Sequence, residues 1–397
     1  MTKRAILFVS CVSFFALGWL AGAVGPSLND LADQTQSDLS AVGSIFMLTF
    51  LGGLPAQAIA GWVSDRSGQR PVLLAGVVLL GLSAFGVAAS PVLALTLGFS
   101  LVWGLGFGTL DIGHNVLIAE LYAHRVNVMN LLHVFFGVGA VVSPAAAGLS
   151  LELWDTALPA LWVGGALMLA TLPFVLRLPR ERFPKEAPSG GSNGAPFSYR
   201  VPLLWMFGAV MMVYVGVEIG VGGWAQPYLE RTTELSPSTA ALATSGFWMA
   251  LTASRLLIAV IGGRMTSALV LTLSIGIAAL SGILMAISTG GAALSVTAIL
   301  LAGFGFGPVY PTIIVVLTNL FPHAPGKAAS IGTVMGGIGG GIIPWVQGIL
   351  LERASPEISV IWIGGGMIVM LGLWLLVRRA SLSYARAAAE REQVAAA

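Results

Sequence analysis

The chain has 397 residues, of which 56% are hydrophobic and only 9% charged, with a formal net charge of +2. A soluble domain carries about 25% charged residues, so this composition excludes an ordinary water-soluble fold and describes a chain made for lipid. The small charge balance carries no nucleic-acid signal, and the single cysteine, Cys11, excludes a disulfide framework.

Apolar runs follow one another along the chain at 5–28, 40–63, 71–89, 93–122, 128–151, 161–175, 201–228, 239–261, 268–287, 292–320, 328–351 and 360–377. Most reach the roughly 20 residues that cross a ~30 Å hydrocarbon core. Runs of this length in lipid must be helical, because lipid cannot satisfy open backbone groups. They predict an all-α integral membrane protein of twelve spans, the shortest of which (161–175) needs its flanks to cross. The opening MTKR with its apolar run resembles a signal peptide, but the run is longer than an h-region and takes part in an internal repeat. A retained first helix is expected.

The segment 179–199 is polar and rich in Pro, Gly and Ser, the composition of a linker. The expected organisation is a six-helix half over 1–178, a linker over 179–199, a second six-helix half over 200–378 and a tail over 379–397. With the N-terminus inside, every Lys and Arg except Arg231, Arg353 and the intramembrane Arg255 becomes cytoplasmic. The positive-inside rule therefore predicts both termini in the cytoplasm, and the cell (inner) membrane is the expected location.

The two halves match in order. GLGFGTLD (104–111) answers GFGFGPVY (303–310), ELYAH (120–124) answers NLFPH (319–323), and GVGAVVSP (137–144) answers GIGGGIIP (337–344). In the first helix of each half, Gly22, Pro26 and Leu28 answer Gly223, Pro227 and Leu229. Matches at one nearly constant offset indicate a duplicated six-helix unit, the plan of transporters whose site lies near the midplane between two halves. The glycines lie at spacings that let helix backbones approach in lipid. Pro144 and Pro344, each after a glycine run, mark helices able to bend. No strand precedes the glycine runs and no Lys-Ser/Thr follows, so a nucleotide-binding loop is excluded.

GWVSDRSGQR (61–70) resembles the loop between the second and third helices of the major facilitator superfamily, with Gly61, Asp65, Arg66, Gly68 and Arg70 in place and Gln69 departing from the pattern. The resemblance implies two six-helix bundles working by alternating access. It also implies a gating role for those five residues, holding the bundles together on the cytoplasmic side in the outward-open state. Three further stretches resemble the fucose–galactose–glucose:proton symporter group. They are DIGHN with Asp111 and Asn115, MNLLHVFFGVGAVVSP with Asn130, and YVGVE with Tyr214 and Glu218. The Asn-Asp pair of that group's first helix is missing, and Leu17 stands at the repeat position of Glu218. A partial GxxxSPxxAG match around 139–148 is similar to drug–proton antiporters, whose fourth-helix Arg is replaced by Ser100.

A charge at mid-bilayer costs on the order of 3 kcal/mol, so an ionisable group there is a functional candidate. Gly104, Gly108, Asp111 and Asn115 form one helical stripe, with His114 beside it. Asn130 and His133 lie on a second, and Tyr214 and Glu218 on a third that continues towards Trp224 and Gln226. Tyr310, at the repeat position of Asp111, and Gln347 complete the candidate solute contacts. Asp111 and Glu218 are the candidate proton-exchanging groups. Arg255 needs an anion, whether Asp111, Glu218 or the solute.

The expected function is a secondary transporter for a small polar solute, sugar-like or a related metabolite, with protons as a candidate coupling ion. An exporter of amphipathic compounds and an uncoupled uniporter are the alternatives. A metal carrier using Asp111, His114, His133 and Glu218 and a non-transporting sensor are lesser ones. No G-x-S-x-G or H-E-x-x-H motif argues for an enzyme. No cofactor is expected, the surroundings are the lipid bilayer, and the expected oligomeric state is a monomer.

Overall fold

The computed structural model describes residues 2–122, 126–179, 198–288, 290–321 and 324–396. Among them there is no strand, and eleven helices are long and apolar enough to cross a membrane. In chain order these are α1 (Lys3–Thr35), α2 (Leu39–Ser67), α3 (Gln69–Ala89), α4 (Leu93–Leu121) and α5 (Val126–Trp154), then α7 (Pro202–Thr232), α8 (Pro237–Arg264), α9 (Ser267–Ile287), α10 (Ala292–Leu320), α11 (Pro325–Arg353) and α12 (Pro356–Ala396). The twelfth apolar helix is the shorter α6 (Pro159–Val175), which falls on the run expected to be shortest. Most of the linker lies outside the described residues. The segment read as a tail continues α12 as helix to Ala396.

Each half builds its own core, and the duplicated glycines explain how. A Cβ on Gly139 of α5 would collide with the Phe15 carbonyl of α1, and one on Gly339 of α11 would collide with the Met212 carbonyl of α7. Gly104 presses on Thr49 in the first half as Gly303 presses on Phe247 in the second. Each pair sits about 200 residues apart, so the internal repeat is a repeat of backbone contacts. In lipid, where apolar side chains gain little by leaving their surroundings, such close approach is a main source of helix association.

The halves differ where the repeat differs. α4 runs unbroken through Gly108 and Asp111, whereas α10 breaks after Phe306 and resumes at Val309. Pro308 and Pro311 each lack an N–H to continue the helical ladder, and α4 has Thr109 and Ile112 in those places. α5 and α11, which carry Pro144 and Pro344, run unbroken.

The halves touch along α1 with α7, α2 with α11, and α5 with α8. One end is sealed. A Cβ on Gly25 of α1 would lie 2.9 Å from the Gly223 carbonyl oxygen of α7. Trp224, fully buried, crosses into the core of the first half, where its indole faces Gly43 and meets the Phe46 ring at 5.9 Å. Asn29 donates to Glu230 at 2.5 Å, and Asp38 stands 3.9 Å from Arg353. Hydrogen bonds from the Ser40 hydroxyl and the Ala41 N–H hold the Asp38 carboxyl below the usual carboxylate range. At the other end, Gly61 of α2 and Gly326 of α11 have open space where a Cβ would sit.

Candidate functional site

Between the halves lies a cavity of about 340 Å³, in the 300–1,000 Å³ range of small-molecule sites. Its walls are mainly apolar and aromatic, with Phe50, Trp103, Phe107, Phe136 and Trp248 among them. Few polar groups break that lining, and three are ionisable at neutral pH: Asp111 from α4, Glu218 from α7 and Arg255 from α8. Asp111 comes from the first half, and Glu218 and Arg255 come from the second.

Asp111 reaches the cavity because Gly104 and Gly108, on the same stripe, let α4 lie against the backbone of α2. Asn115, one turn on, donates its amide to both the Asp111 carbonyl (2.9 Å) and carboxylate (3.0 Å). This second-turn contact fixes the carboxylate's direction and leaves Asn115 out of the wall itself. Tyr310, the repeat counterpart of Asp111, faces the same cavity, hydrogen-bonds Thr333 at 3.2 Å and feels the charge of Asp111.

Glu218 has one carboxylate oxygen with no hydrogen-bond partner although it is buried. The Arg255 charge acts on it, and Tyr214, one turn earlier on α7, stands beside it. Arg255 itself does not close an ion pair with either acid. Its Nε donates to the Gly307 carbonyl at 2.8 Å, at the break in α10. The expected anion partner is therefore present electrostatically, while the hydrogen bond goes to backbone.

The remaining sequence candidates spread to other places. His114 is buried beside α1, where Nδ1 meets the Ser10 hydroxyl at 3.1 Å and the ring stands edge-on to Phe14. His133 is exposed and meets the same Phe14 ring at 5.5 Å, outside the cavity wall. Tyr214 is buried behind the wall, with its hydroxyl donating to the Phe306 carbonyl at 3.3 Å. Trp224 donates to the Pro344 carbonyl at 2.8 Å, and Gln226 donates to Glu230 at 2.8 Å, so both belong to the sealed end. Gln347 is buried near Gly220, away from the cavity wall. The side chain of Asn130 lies outside the described residues.

Of the loop motif, Gly68 ends the second helix with φ of 78°, a conformation glycine adopts without strain. Asp65 and Arg66 are exposed, Arg66 lies 3.8 Å over the Trp62 ring, Arg70 is half-buried, and Gly61 faces open space. Sequence reasoning missed Trp248, Thr252, Thr49, Gln57 and Phe50. Of these, Trp248 and Thr252 share the α8 stripe with Arg255, a spacing that was available as a signal. Among the described residues, no group of three or more His, Cys, Asp or Glu is placed to bind a metal.

A mid-depth cavity between two duplicated six-helix halves defines the class, and comparison with known proteins supplies the family. The family model of the Major Facilitator Superfamily matches residues 7–344 and 206–396, and the chain belongs to that superfamily of multi-pass membrane transporters. It is 23% identical to the inner membrane transport protein YdiN of Escherichia coli, over 90% of this chain and 86% of that one. It is 25% identical to the human sodium-dependent glucose transporter 1, over 88% of this chain and 74% of the relative. Among solved structures it matches the nucleoside transporter NupG with a TM-score of 0.72 and 16% identity, covering 94% of this chain and 98% of that one. That likeness shows the fold.

Proposed function

We propose that this protein is a secondary transporter that carries a small, neutral, sugar-like solute by alternating access, with proton exchange at Asp111 and Glu218. The observation that carries this reading is the cavity itself. It is of metabolite size, its walls are aromatic, and its two carboxylates come from opposite halves. Aromatic faces suit the apolar faces of a sugar or nucleoside ring. Two acids against one arginine disfavour an anionic solute. Relatives named as glucose transporters support the same class.

On the positive-inside orientation, the sealed end faces outward and the open end faces the cytoplasm, with both termini inside and the protein in the cell's inner membrane. The exposed loop motif Gly61–Arg70 then lies at the open side, where it would clamp the halves in the opposite state. Asp111 and Glu218 carry the coupling because both sit at the solute's depth, so proton and solute occupancy meet in one space. Sodium is the alternative ion, favoured by the names of the glucose-transporting relatives.

Purified protein in proteoliposomes tests the reading by uptake of D-glucose and uridine under an imposed pH gradient, an imposed sodium gradient, or neither. Accumulation driven by the pH gradient supports it. Sodium-driven accumulation replaces the ion, and downhill flux alone replaces coupling with uniport. Flux of neither probe overturns the solute class.

A further inference from the structure

A buried indole N–H ordinarily finds an acceptor, and three buried tryptophans of this chain follow that rule. Trp19 donates to the Ala160 carbonyl at 2.7 Å, Trp224 to the Pro344 carbonyl at 2.8 Å and Trp374 to the Thr272 hydroxyl at 3.0 Å. Trp248 departs from it. It is 8% exposed, lines the cavity, and its Nε1 has no partner.

The indole is held in a built niche. It stands edge-on to Phe247 at 5.2 Å, and α7 offers Gly222 beneath it, where a Cβ would lie 3.0 Å from the Trp248 ring. Gly222 is one turn beyond Glu218, about 6 Å further along the same helix, and both residues line the cavity with Trp248. Two more buried polar atoms on this wall also lack partners: Oε2 of Glu218 and Oγ1 of Thr252. Thr252 is one turn from Trp248 on α8, and Arg255 follows it.

The unpartnered set is a donor (Trp248), an acceptor (the Glu218 carboxylate) and a group that does both (Thr252). Leaving each buried and unpaired carries the desolvation penalty of that group, which a bound solute removes if it brings hydroxyls, which both donate and accept. An apolar solute would leave all three unpaired. A carboxylate solute would suit Trp248 and be repelled by Glu218.

We infer that Trp248, Thr252 and the free oxygen of Glu218 form a hydroxyl-binding subsite on the second half, which grips adjacent hydroxyls of a neutral polyhydroxylated ring. The inference rests on the reading that this cavity holds the transported solute. It adds Trp248 as the specificity-determining donor.

The test measures binding of D-glucose and uridine, and of their mono-deoxy analogues, to purified full-length protein by calorimetry. Trp248→Phe keeps an aromatic ring and removes the N–H. It should weaken the better-bound probe about fivefold or more, as expected for one hydrogen bond, and Thr252→Val should weaken it as well. The distinguishing readout is non-additivity: one deoxy analogue should bind the wild type weakly and lose nothing further in Trp248→Phe. A niche that merely shapes the fold gives additive losses, and additivity overturns the subsite. Trp154→Phe, on the exposed surface, is the control. If Trp248→Phe does not fold, the Thr252→Val arm decides with the same analogues. Wild-type binding with no effect of either variant overturns the subsite and leaves the transporter reading standing. A wild type that binds neither probe overturns the solute class and the subsite together.

Discussion

Arg255 Nε donates to the Gly307 carbonyl at 2.8 Å, and that carbonyl is free because its helical partner would be Pro311. In an unbroken helix the N–H four residues on satisfies each carbonyl, and proline has none. Gly307 makes the reach possible, since a Cβ there would collide with Ser254 and the Leu251 carbonyl of α8. An arginine that reads as a charge seeking an anion is also the cap of a broken helix.

That double role predicts a thermodynamic cycle. Arg255→Leu leaves the Gly307 carbonyl buried without a donor, at about 1–3 kcal/mol. The melting temperature of the purified protein should fall by a few degrees. Pro311→Ala restores an N–H at the right position, so Arg255→Leu should cost markedly less in that background. Equal losses in both backgrounds would show that the hydrogen bond contributes nothing.

Asp111→Asn and Glu218→Gln keep size and remove charge. If both carboxylates exchange protons with the bound state, each variant should lose pH-driven accumulation of the solute while retaining exchange of labelled for unlabelled solute across the membrane. Full accumulation in Asp111→Asn would remove that residue from coupling and leave Glu218, on which the Arg255 charge acts, as the site.

Asp38 supplies a pH prediction outside the membrane. Its carboxyl is held below the usual range by the Ser40 hydroxyl first, then the Ala41 N–H and Arg353. A depressed carboxylate contributes stability that is complete above its ordinary value near 3.9 and is lost as pH falls through the lower folded value. Asp38→Ala removes the cap of the turn at Leu39–Val42, a loss of about 1 kcal/mol. The exposed pair with Arg353 adds less. The melting difference between wild type and Asp38→Ala should stay constant from pH 7 to pH 5 and shrink below about pH 4. A difference that widens on acidification would contradict the cap.

Much of the fold was legible because lipid imposes simple rules. Apolar length gave the helices, and the repeated glycines gave the packing partners, so Gly139 and Gly339 do the same thing in the two halves. Asp111, Glu218, Tyr310 and Arg255 line one cavity, as their mid-helix depth suggested. What the chain did not disclose is direction around the helix. His114 lies roughly 60° from Asp111, since each residue turns about 100°, and that angle separates the cavity wall from packing against Ser10 and Phe14 of α1. Trp224 and Gln226, about two turns past Glu218 towards the outer end of the helix as the sequence had them, belong to the seal and not to the cavity wall. Trp248 and Thr252 were passed over because an aromatic and a threonine in an apolar helix resemble core. Their place on the stripe of Arg255 and their missing partners single them out.

The sealed end offers a direct test of alternating access. Gly25 faces two carbonyl oxygens of α7, with a Cβ placed 2.9 Å from that of Gly223 and 3.0 Å from that of Gly222. Both obstacles are backbone, which cannot rotate aside, so Gly25→Val must push α1 from α7. The nearby link between Asn29 and Glu230 would part with them. Gln226 is 2% exposed behind this contact. A cysteine there, as Gln226→Cys in a Cys11→Ser background, should react slowly with a membrane-impermeant maleimide added outside cells. Adding Gly25→Val should raise that labelling several-fold and stop transport, because a transporter propped open at one end cannot complete its cycle. Unchanged labelling together with normal transport would mean that the contact between Gly25 and Gly223 does not seal this end.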